Sequence, residues 1–513
     1  MAGPVSEHEN TVARLRAAAE SQEGLSREQA LELIGWAEGM AKKLERLRRL
    51  HRDLDQRLAT AENSLSLRIA RRVGTAYQEL AARFGRAPGP SETEMYRRWL
   101  AWHPPANVAS SPGTQALEWS LPGGEYTAIF DPGGVPTPRI REIVAQALAR
   151  RPLDLLYGDE DLLADKGARV RPIFRPDFSP QLLESHMYMG RFLVASRALL
   201  NRIGTYRDGY DLALRAAAMG ARIGRTPEIL YHARQEAPAV APKSAPLADG
   251  PWVSLIICSR NGRLLNRCLR QLRQRTRYPR RESIVVAHQG WDDRALAKAA
   301  ARHGASLVPY QGEFHFARMC NLGAKTAKGD VLVFLNDDVV PLEPEWLGLL
   351  VGHVQRPAIG AVGAKLLYPS GLIQHAGVAL GIMDGAGHPG RGTFGRRWWP
   401  WFDYTRDVSA VTGACLAIRK NLFLEVSGFD ERFPVNYNDV DLCLRLRRAG
   451  FRVIVEPQAR LRHDEARSRV ARTRAEEREL FLDLWGDLIV AGDPFYHPAL
   501  AHDREDASLA LPA

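Results

Sequence analysis

The chain has 513 residues, of which 45% are hydrophobic and 25% are charged, and its formal net charge is +11. This length exceeds one ordinary domain and predicts two or three. No apolar run reaches the ~18 residues that a membrane helix needs. The start, MAGPVSEHENTVARL, lacks the apolar core of a signal peptide. We therefore expect a cytoplasmic protein.

Cysteine spacing and net charge further limit the kinds of site and partner that the protein can have. The five cysteines are scattered and form no C-x-x-C pair, which favours reduced thiols over a Cys-ligated zinc site. The basic balance indicates either an anionic partner or an Arg-rich surface that only keeps the protein in solution. No basic patch interleaved with aromatic residues and no recognised module is present, so we expect no nucleic-acid partner.

The N-terminal region, residues 1–100, is predicted to be helical. Residues 26–60 show a heptad repeat through Leu33, Met40, Leu47 and Leu54, which predicts either a coiled coil that forms a homo-oligomer or a helix packed on its own protein. Residues 64–86 are amphipathic and basic, as in a helix at the inner-membrane surface, although such a face more often packs on protein.

Two folded units are predicted to follow, at 101–234 and 252–495. The segment between them, 235–251, is an Ala- and Pro-rich linker, and 496–513 is a C-terminal tail. From residue 252, strand-like runs alternate with helical runs, which predicts an α/β domain with a parallel sheet. Ligands of such sheets bind at the carboxyl ends of the strands.

The two units are related by an internal repeat. GEYTAIFDPGGVPTP (124–138) aligns with GDVLVFLNDDVVPLE (329–343), and RDGYDLALRAAAMGARIGRTPEILYH (207–232) aligns with YNDVDLCLRLRRAGFRVIVEPQARLRH (437–463). The first unit lacks a counterpart of the strand–helix–strand run at 252–310. We therefore expect one complete unit and one partial unit.

Carboxylates follow a predicted strand end in the second unit. Asp337 and Asp338 suit a hard divalent cation, Mg²⁺ or Mn²⁺, or else lie in a solvated turn. Asp439 and Asp441 begin a helical pattern, where one of them is expected to cap the helix. Asp439, just outside the helix, is a candidate general base.

A histidine recurs at matching positions of the two units. His463 follows a strand-like run in the second unit, and His232 occupies the matching position in the first. The recurrence fits either a shared packing role or a shared ligand role.

Several longer stretches together resemble glycosyltransferase family 2, and most closely its branch for O-antigen, rhamnan and related surface glycans. In the first unit, YGDED, RPDFSP and PEILYH resemble the same branch. The stretches of the second unit run in family order across roughly 251–470: VSLIICSRNG, NLGAKTAKGDVLVFLNDDV, GAVGAKLLYPSGLIQHAGVALG, AVTGACLAIRKNLF, GFDERF, NDVDLCLRLRRAG and RHDEARSR.

The resemblance implies a GT-A fold, here a Rossmann-like catalytic domain preceded by a degenerate partial GT-A unit. It implies a metal-dependent inverting glycosyltransferase that uses Mn²⁺ or Mg²⁺. The donor would be a UDP-, dTDP- or GDP-linked sugar. The acceptor would be a hydroxyl of a growing glycan or lipid-linked glycan, such as O-antigen, lipopolysaccharide, exopolysaccharide or a glycoprotein glycan.

The same resemblance implies roles for individual residues. The metal would be held by Asp338 and His463, and the base would be Asp439. Donor-binding positions are Ser259, Asn261, Asn321, Asn336 and Asp337, and positions facing donor sugar or acceptor are His375, Gly377, Thr412 and Gly413.

The sequence also departs from the family pattern. Ala287 replaces the usual Asp that reads the nucleotide base, and Asn438 replaces a usual Glu. In the first unit, Asp131-Pro132-Gly133 and Gly209 stand where the acidic residues would be, so we expect that unit to be catalytically inactive, with a role in glycan binding or scaffolding. Its acidic run at 159–161 is expected to be a solvated loop.

One aromatic cluster has two interpretations. RRWWPWFDY (396–404) places Trp398 and Trp401 either in an acceptor platform, because sugars stack on aromatic faces, or in a buried anchor. The alternative to an enzyme is an inactive glycan-binding or assembly protein built on GT-A units.

Overall fold

The computed structural model describes residues 92–102, 117–121, 124–131, 133–164, 167–234, 244–290, 292–383, 385–395, 398–464 and 474–510. These residues belong to one compact unit, Pro90–Ala513. The predicted heptad helix at 26–60 and the amphipathic segment at 64–86 lie outside the described residues. Within the described part, no helix combines the length and apolarity needed to cross a bilayer.

The first repeat (residues 92–234) forms a seven-stranded sheet with strand order β1-β2-β6-β4-β7-β3 and β5 beside β4. Its elements are α1 (Glu92–Trp102), β1 (Leu117–Leu121), β2 (Gly124–Phe130), β3 (Gly134–Pro136), α2 (Ile140–Arg150), β4 (Leu155–Leu163), β5 (Arg169–Ile173), α3 (Pro180–Ser185), β6 (Phe192–Ser196), α4 (Arg197–Ile203), α5 (Gly209–Ala218) and β7 (Ile223–Ala233).

The second repeat (residues 244–510) forms a ten-stranded sheet. Its first half contains β8 (Val253–Ser259), α6 (Gly262–Gln274), β9 (Arg281–His288), α7 (Asp293–His303), β10 (Ser306–Tyr310), α8 (Phe316–Thr326) and β11 (Val331–Asn336). Its second half contains β12 (Val339–Pro341), α9 (Trp346–Val354), β13 (Ile359–Leu367), β14 (Ile373–His375), β15 (Ala379–Leu380), β16 (Ala386–Gly387), a 3-10 helix (Pro400–Asp403), β17 (Arg406–Asp407), β18 (Cys415–Arg419), α10 (Lys420–Glu425), α11 (Asn438–Arg448), β19 (Arg452–His463) and α12 (Ala475–Ala491).

The prediction of an α/β domain is confirmed. The strand order is β10-β9-β8-β11-β18-β13-β19-β12, and the first four of these strands are parallel. Every residue of β8 is buried, as expected for a parallel strand covered by helices on both faces. The small β15–β16 hairpin forms a separate sheet.

The predicted internal repeat is also confirmed. The order β2-β6-β4-β7-β3 matches β11-β18-β13-β19-β12, with the same parallel and antiparallel pairings. His232 lies opposite Val135, as His463 lies opposite Val339. Among the described residues, no strand of the first repeat corresponds to β8, β9 or β10.

The two repeats share a hydrophobic core, so the linker does not separate two independent units. Trp398 and Trp401 are 1% and 3% exposed and pack with residues of the first repeat. The Trp401 indole donates to the Phe174 carbonyl at 2.8 Å, and the Phe174 amide donates to the Trp398 carbonyl at 3.0 Å. The acceptor-platform prediction for Trp398 and Trp401 is therefore wrong, because buried rings cannot stack on a sugar.

The C-terminal segment is also part of this core rather than a tail. Leu500, Ala507 and Leu509 are buried in the shared core. His497 stacks on Phe174 with ring centres 4.6 Å apart, and its Nε2 lies 2.7 Å from an Asp159 oxygen of the first repeat. The domain boundary predicted at residue 495 is therefore not a boundary of the fold.

The prediction of a solvated acidic loop at 159–161 is wrong as well. These residues lie on β4, and none of the three is more than 4% exposed. Asp161 accepts from the Tyr96 hydroxyl at 2.7 Å and from Arg169 at 2.6 Å, and Glu160 pairs with Arg175 at 3.0 Å. Buried carboxylates need such partners because desolvation of an unpaired charge is costly.

We expect Trp401→Ala to lower the free energy of unfolding by ~3–5 kcal/mol, because it removes a buried indole and leaves a cavity. Urea denaturation measures this. Trp252→Ala is the matched control, because Trp252 is 44% exposed and surface changes usually cost ~0.5 kcal/mol or less. Unchanged stability in Trp401→Ala, with weaker acceptor binding, would restore the platform interpretation.

Candidate active site at the strand ends

A two-residue turn between β11 and β12 carries the predicted acidic pair. β11 ends at Asn336 and β12 begins at Val339, so Asp337 and Asp338 form the turn. β19 pairs antiparallel with β12 and places His463 opposite Val339. Strand pairing therefore brings Asp338 and His463 together across more than a hundred residues of sequence.

Asp338 and His463 face each other as two potential ligands. Asp338 Oδ1 lies 3.0 Å from His463 Nε2, and both side chains are 6% exposed. Asn336 Nδ2 lies 3.2 Å from the same nitrogen. If the amide donates this hydrogen bond, Nε2 is the unprotonated nitrogen and faces a carboxylate oxygen.

Two facing electron-pair donors repel unless a proton or a cation lies between them. Asp338 Oδ1 has no aligned hydrogen-bond partner among the described residues. Carboxylate oxygen and imidazole nitrogen suit Mn²⁺, and the carboxylate also suits Mg²⁺. No third His, Cys, Asp or Glu of the described part joins them, so the remaining ligands would come from water or a bound phosphate group.

Asp337 occupies a different environment from its neighbour. The Ser259 hydroxyl donates to Asp337 Oδ2 at 2.5 Å, which ties the end of β8 to the end of β11. The pKa of Asp337 is raised to about 6, mainly by burial; the hydrogen bond from Ser259 opposes this rise, and the adjacent Asp338 charge contributes to it. Ser259 and Asp337 thus lie at the sheet edge where the nucleotide-sugar donor was expected, and their side chains hydrogen-bond to each other.

Asp439 lies near this turn through a short backbone connection. The Asn336 amide donates to the Ala414 carbonyl at 3.2 Å, and the neighbouring Gly413 amide donates to Asp439 Oδ2 at 2.7 Å. The other oxygen, Oδ1, accepts from Val440 at 2.9 Å. Asp439 is only half-buried, so one carboxylate is held at the edge where the metal-ligand candidates lie.

Asp441 has a structural role instead. It is 1% exposed, pairs with Arg445 at 2.8 Å, and accepts from the Trp485 indole at 3.1 Å. The sequence analysis selected Asp439 because that residue was expected just outside the helix, but α11 begins at Asn438 and includes it. The partners of the two acidic residues distinguish them instead.

His375 is buried beneath the turn at Thr412. Its Nε2 accepts from the Gly377 amide at 3.3 Å and from the Thr412 amide at 3.5 Å. Burial, and then the nearby His388, hold its pKa well below the usual value. A neutral, fully buried imidazole positions this turn rather than contacting a sugar.

Gly377 is required by the backbone. Its φ is +99°, and a Cβ there would lie 2.7 Å from Val408. Any side chain would strain the turn next to His375.

The two asparagines that were predicted to bind the donor form hydrogen bonds within the protein instead. Asn261 caps α6 by accepting from the amides of Arg263 and Leu264 at 3.0 and 3.1 Å. Asn321 donates to the Phe429 carbonyl at 2.9 Å and accepts from its amide at 3.0 Å. The structure therefore gives both side chains positioning roles within the fold.

Glu477 on α12 is a residue that the sequence analysis missed. Its carboxylate accepts from the Val435 and Asn436 amides at 2.7 and 2.9 Å and from Asn436 Nδ2 at 2.6 Å. It thereby holds the loop that leads into Asp439. Nothing local distinguishes it from the adjacent Glu476, which is exposed.

The first repeat does not reproduce this cluster. The ring of His232 lies 2.5 Å from Asp161 on β4, so the counterpart of His463 is used in the buried ion network. Asp131, at the equivalent turn, is exposed.

We expect Asp337→Asn to gain stability relative to the parent as pH rises from about 4 to 6. The folded state holds the Asp337 proton up to about pH 6, whereas an unperturbed aspartate has a pKa of 3.8, so ionisation costs the parent on the order of 2 kcal/mol that the amide avoids. Urea denaturation in EDTA at pH 4 and pH 7.5 measures the difference. Asp503→Asn, at a side chain that is 75% exposed, should show no such trend, and an equal trend in both variants would contradict the assignment.

The domain that carries this strand edge is similar to known proteins. Residues 250–481 match the family model described as "Glycosyltransferase like family 2". The chain is 34% identical over 432 residues to the O-antigen biosynthesis protein RfbC of Myxococcus xanthus, covering 72% of this chain and 33% of RfbC. The chain thus spans about a third of that relative's length.

Two further likenesses are more partial. The chain is 28% identical over 212 residues to an N-acetylglucosaminyl-diphospho-decaprenol L-rhamnosyltransferase of Mycobacterium tuberculosis, covering 36% of this chain and 67% of that protein. Among solved structures, a mannosyltransferase of Pyrobaculum calidifontis, in complex with GDP-Man and Mn²⁺, matches with a TM-score of 0.32 and 16% identity, covering 44% of this chain and 60% of the other.

Proposed function

We propose that residues 250–481, which match the model of glycosyltransferase family 2, form a GT-A domain that transfers a sugar from a nucleotide-sugar donor to a hydroxyl of a surface glycan. The observation that carries the proposal is the Asp338–His463 pair, with 3.0 Å between Oδ1 and Nε2. Asp439 is bound by the Gly413 amide, and the next residue, Ala414, accepts from Asn336 at the end of β11. The similarity to an O-antigen biosynthesis protein and to a rhamnosyltransferase supports a surface glycan as the acceptor class.

Asp338 Oδ1 and His463 Nε2 are the groups that would hold a divalent cation. When bound, Mn²⁺ or Mg²⁺ supplies positive charge that stabilises the departing nucleoside diphosphate. The protein's own contribution is to fix the two ligands: β12–β19 pairing sets the His463 backbone, and Asn336 lies beside its ring.

Asp439 is the proposed general base. The Gly413 amide donates to one of its oxygens and so orients the carboxylate. As the acceptor hydroxyl attacks the anomeric carbon, its proton passes to Asp439 and the bond from that carbon to the diphosphate oxygen breaks. Attack on the face opposite the leaving group inverts the anomeric centre.

We expect Asp439→Asn to lower turnover by about 10²–10⁴-fold, because the amide cannot accept the proton, and to leave Mn²⁺ binding unchanged. Asp338→Ala should lower turnover and remove its Mn²⁺ dependence. Nucleotide release from UDP-, dTDP- and GDP-linked sugars, with and without Mn²⁺, measures both.

Asp503→Asn is the matched control for these variants, because its side chain is 75% exposed and pairs with the neighbouring Arg504. If the parent and all variants released nucleotide at the same background rate from every donor, the protein would be a glycan-binding or assembly protein instead.

We expect Glu477→Gln to lower kcat about tenfold while the KM for the donor stays within about twofold. The amide weakens hydrogen bonds that are charge-assisted in the parent, worth ~1.5–3 kcal/mol each, and so loosens the loop before Asp439. Steady-state kinetics with Glu476→Gln as control tests this positioning role. Equal effects of the two variants would exclude it.

A further inference from the structure

The repeat permits a comparison of two equivalent strand edges. In the second repeat, β17 pairs antiparallel with β19, with Arg406 opposite Val455, and so closes this edge. In the first repeat, β7 pairs with β4 and β3, and β3 reaches only residues 231–233. Among the described residues, no strand covers the equivalent edge at 224–226.

The equivalence of the two edges follows from the register. Arg225 lies opposite Tyr157 on β4, as Val455 lies opposite Gly363 on β13, and both pairings shift register shortly afterwards. A charged guanidinium thus stands where the second repeat has a fully buried valine.

A cavity of about 570 Å³ opens along this uncovered edge, between α2 and the segment Asp177–Phe178. We call it the edge groove. This volume falls within the range of pockets that hold small ligands. The residues that concern its chemistry are Arg139, Arg150, Arg151, Arg225, Phe178 and Glu228.

Arg225 is the buried polar group of the edge groove. Its side chain is 7% exposed, and its Nε donates to Asp177 Oδ1 at 2.8 Å. Its Nη1 is buried and has no hydrogen-bond partner among the described residues. A buried donor without an acceptor is costly, so this nitrogen needs an acceptor, which either water or a bound ligand supplies.

The rim adds positive charge. Arg150 and Arg151 are exposed and make no ion pair with any described residue, whereas Arg139 is already paired with Glu142. Asp177 and Glu228 are the acidic residues of the lining. With Glu142, which pairs with Arg139, three carboxylates stand against four guanidinium groups. Guanidinium groups bind carboxylate and phosphate groups in two-pronged fashion.

The edge itself disfavours an added peptide strand. Pro227 lies in this part of β7 and lacks an amide hydrogen, and the register shifts next to it, two features that blunt strand edges. A ligand of the edge groove would therefore be recognised by side chains rather than by backbone hydrogen bonds to β7. Phe178 is partly exposed and lines the groove, and an aromatic ring is a surface on which the apolar face of a sugar can pack.

We propose that the edge groove binds an acidic saccharide, whose carboxylate or phosphate group pairs with Arg225 and with Arg150 and Arg151. The saccharide fits because it combines an anionic group with a ring that packs on Phe178. This binding requires no transferase chemistry, since the groove belongs to the repeat whose turn lacks the acidic pair.

The test titrates the full chain with four probes: a glucuronic-acid-containing tetrasaccharide, glucose 6-phosphate, a neutral glucose tetrasaccharide and inorganic phosphate. Isothermal titration at low salt should show saturable binding of one or both acidic saccharides, at least tenfold tighter than either other probe. The two acidic probes distinguish a carboxylate from a phosphate. Raised salt should weaken the binding, because charge interactions at an open groove are screened.

The double variant Arg150→Ala/Arg151→Ala should weaken acidic-saccharide binding at least tenfold. Both side chains are exposed, so folding should be unaffected, and a thermal melt checks this. Arg141→Ala is the matched control: Arg141 is exposed on the same helix but does not line the groove, and its binding should equal that of the parent.

Three results would overturn the proposal: equal affinity for neutral and acidic tetrasaccharides, equal loss in the double variant and the control, or phosphate alone binding as tightly as any saccharide. Tighter binding of a polyglutamate peptide than of both acidic saccharides would assign the groove to an acidic protein segment instead. Nucleotide release is measured on the same samples. Its failure alone would contradict only the proposed transferase activity.

Discussion

The antiparallel pairing of β12 with β19 is the constraint on which the candidate site depends. It sets Val339 opposite His463 and thereby places the imidazole 3.0 Å from the Asp338 carboxylate. The same strand, β19, pairs in parallel with β13 on its other side, so strands on both sides fix the backbone that leads to His463. The turn can then hold two acidic residues, because Ser259 stabilises Asp337 while Asp338 faces His463.

The two repeats share one strand topology but use their equivalent residues differently. In the first repeat the matching histidine binds Asp161, and the acidic run of β4 supports the contact with the C-terminal segment through Asp159 and His497. The RPDFSP segment, which resembles a family motif, contributes Ser179, whose hydroxyl donates to Asp407 of the second repeat at 2.6 Å. Ser179 of this motif thus helps to hold the two repeats together, so the motif by itself does not indicate a catalytic site in the first repeat.

Much of the fold was predictable because its signals are local. Runs such as 253–259 and 331–336 are mostly apolar and therefore indicate buried parallel strands. The acidic turn was predictable for the same reason, since it directly follows one of these runs. The sequence selected Asp439 over Asp441 by position and by family resemblance. Their different partners, Gly413 for Asp439 and Arg445 with Trp485 for Asp441, are seen only in the structure. Glu477 escaped notice because the loop that it holds lies about forty residues earlier.

By itself the sequence determined the alternation of strands and helices, the duplicated pattern and the position of acidic residues at a strand end, because each depends on neighbouring residues and on side-chain periodicity. Only the tertiary structure decided which polar and aromatic groups lie buried. Trp401 bonds to Phe174 across 227 positions of the chain, and Asp161 meets His232 across 71. Burial and charge pairing at such separations arise from the packing of distant segments, and no local pattern encodes them.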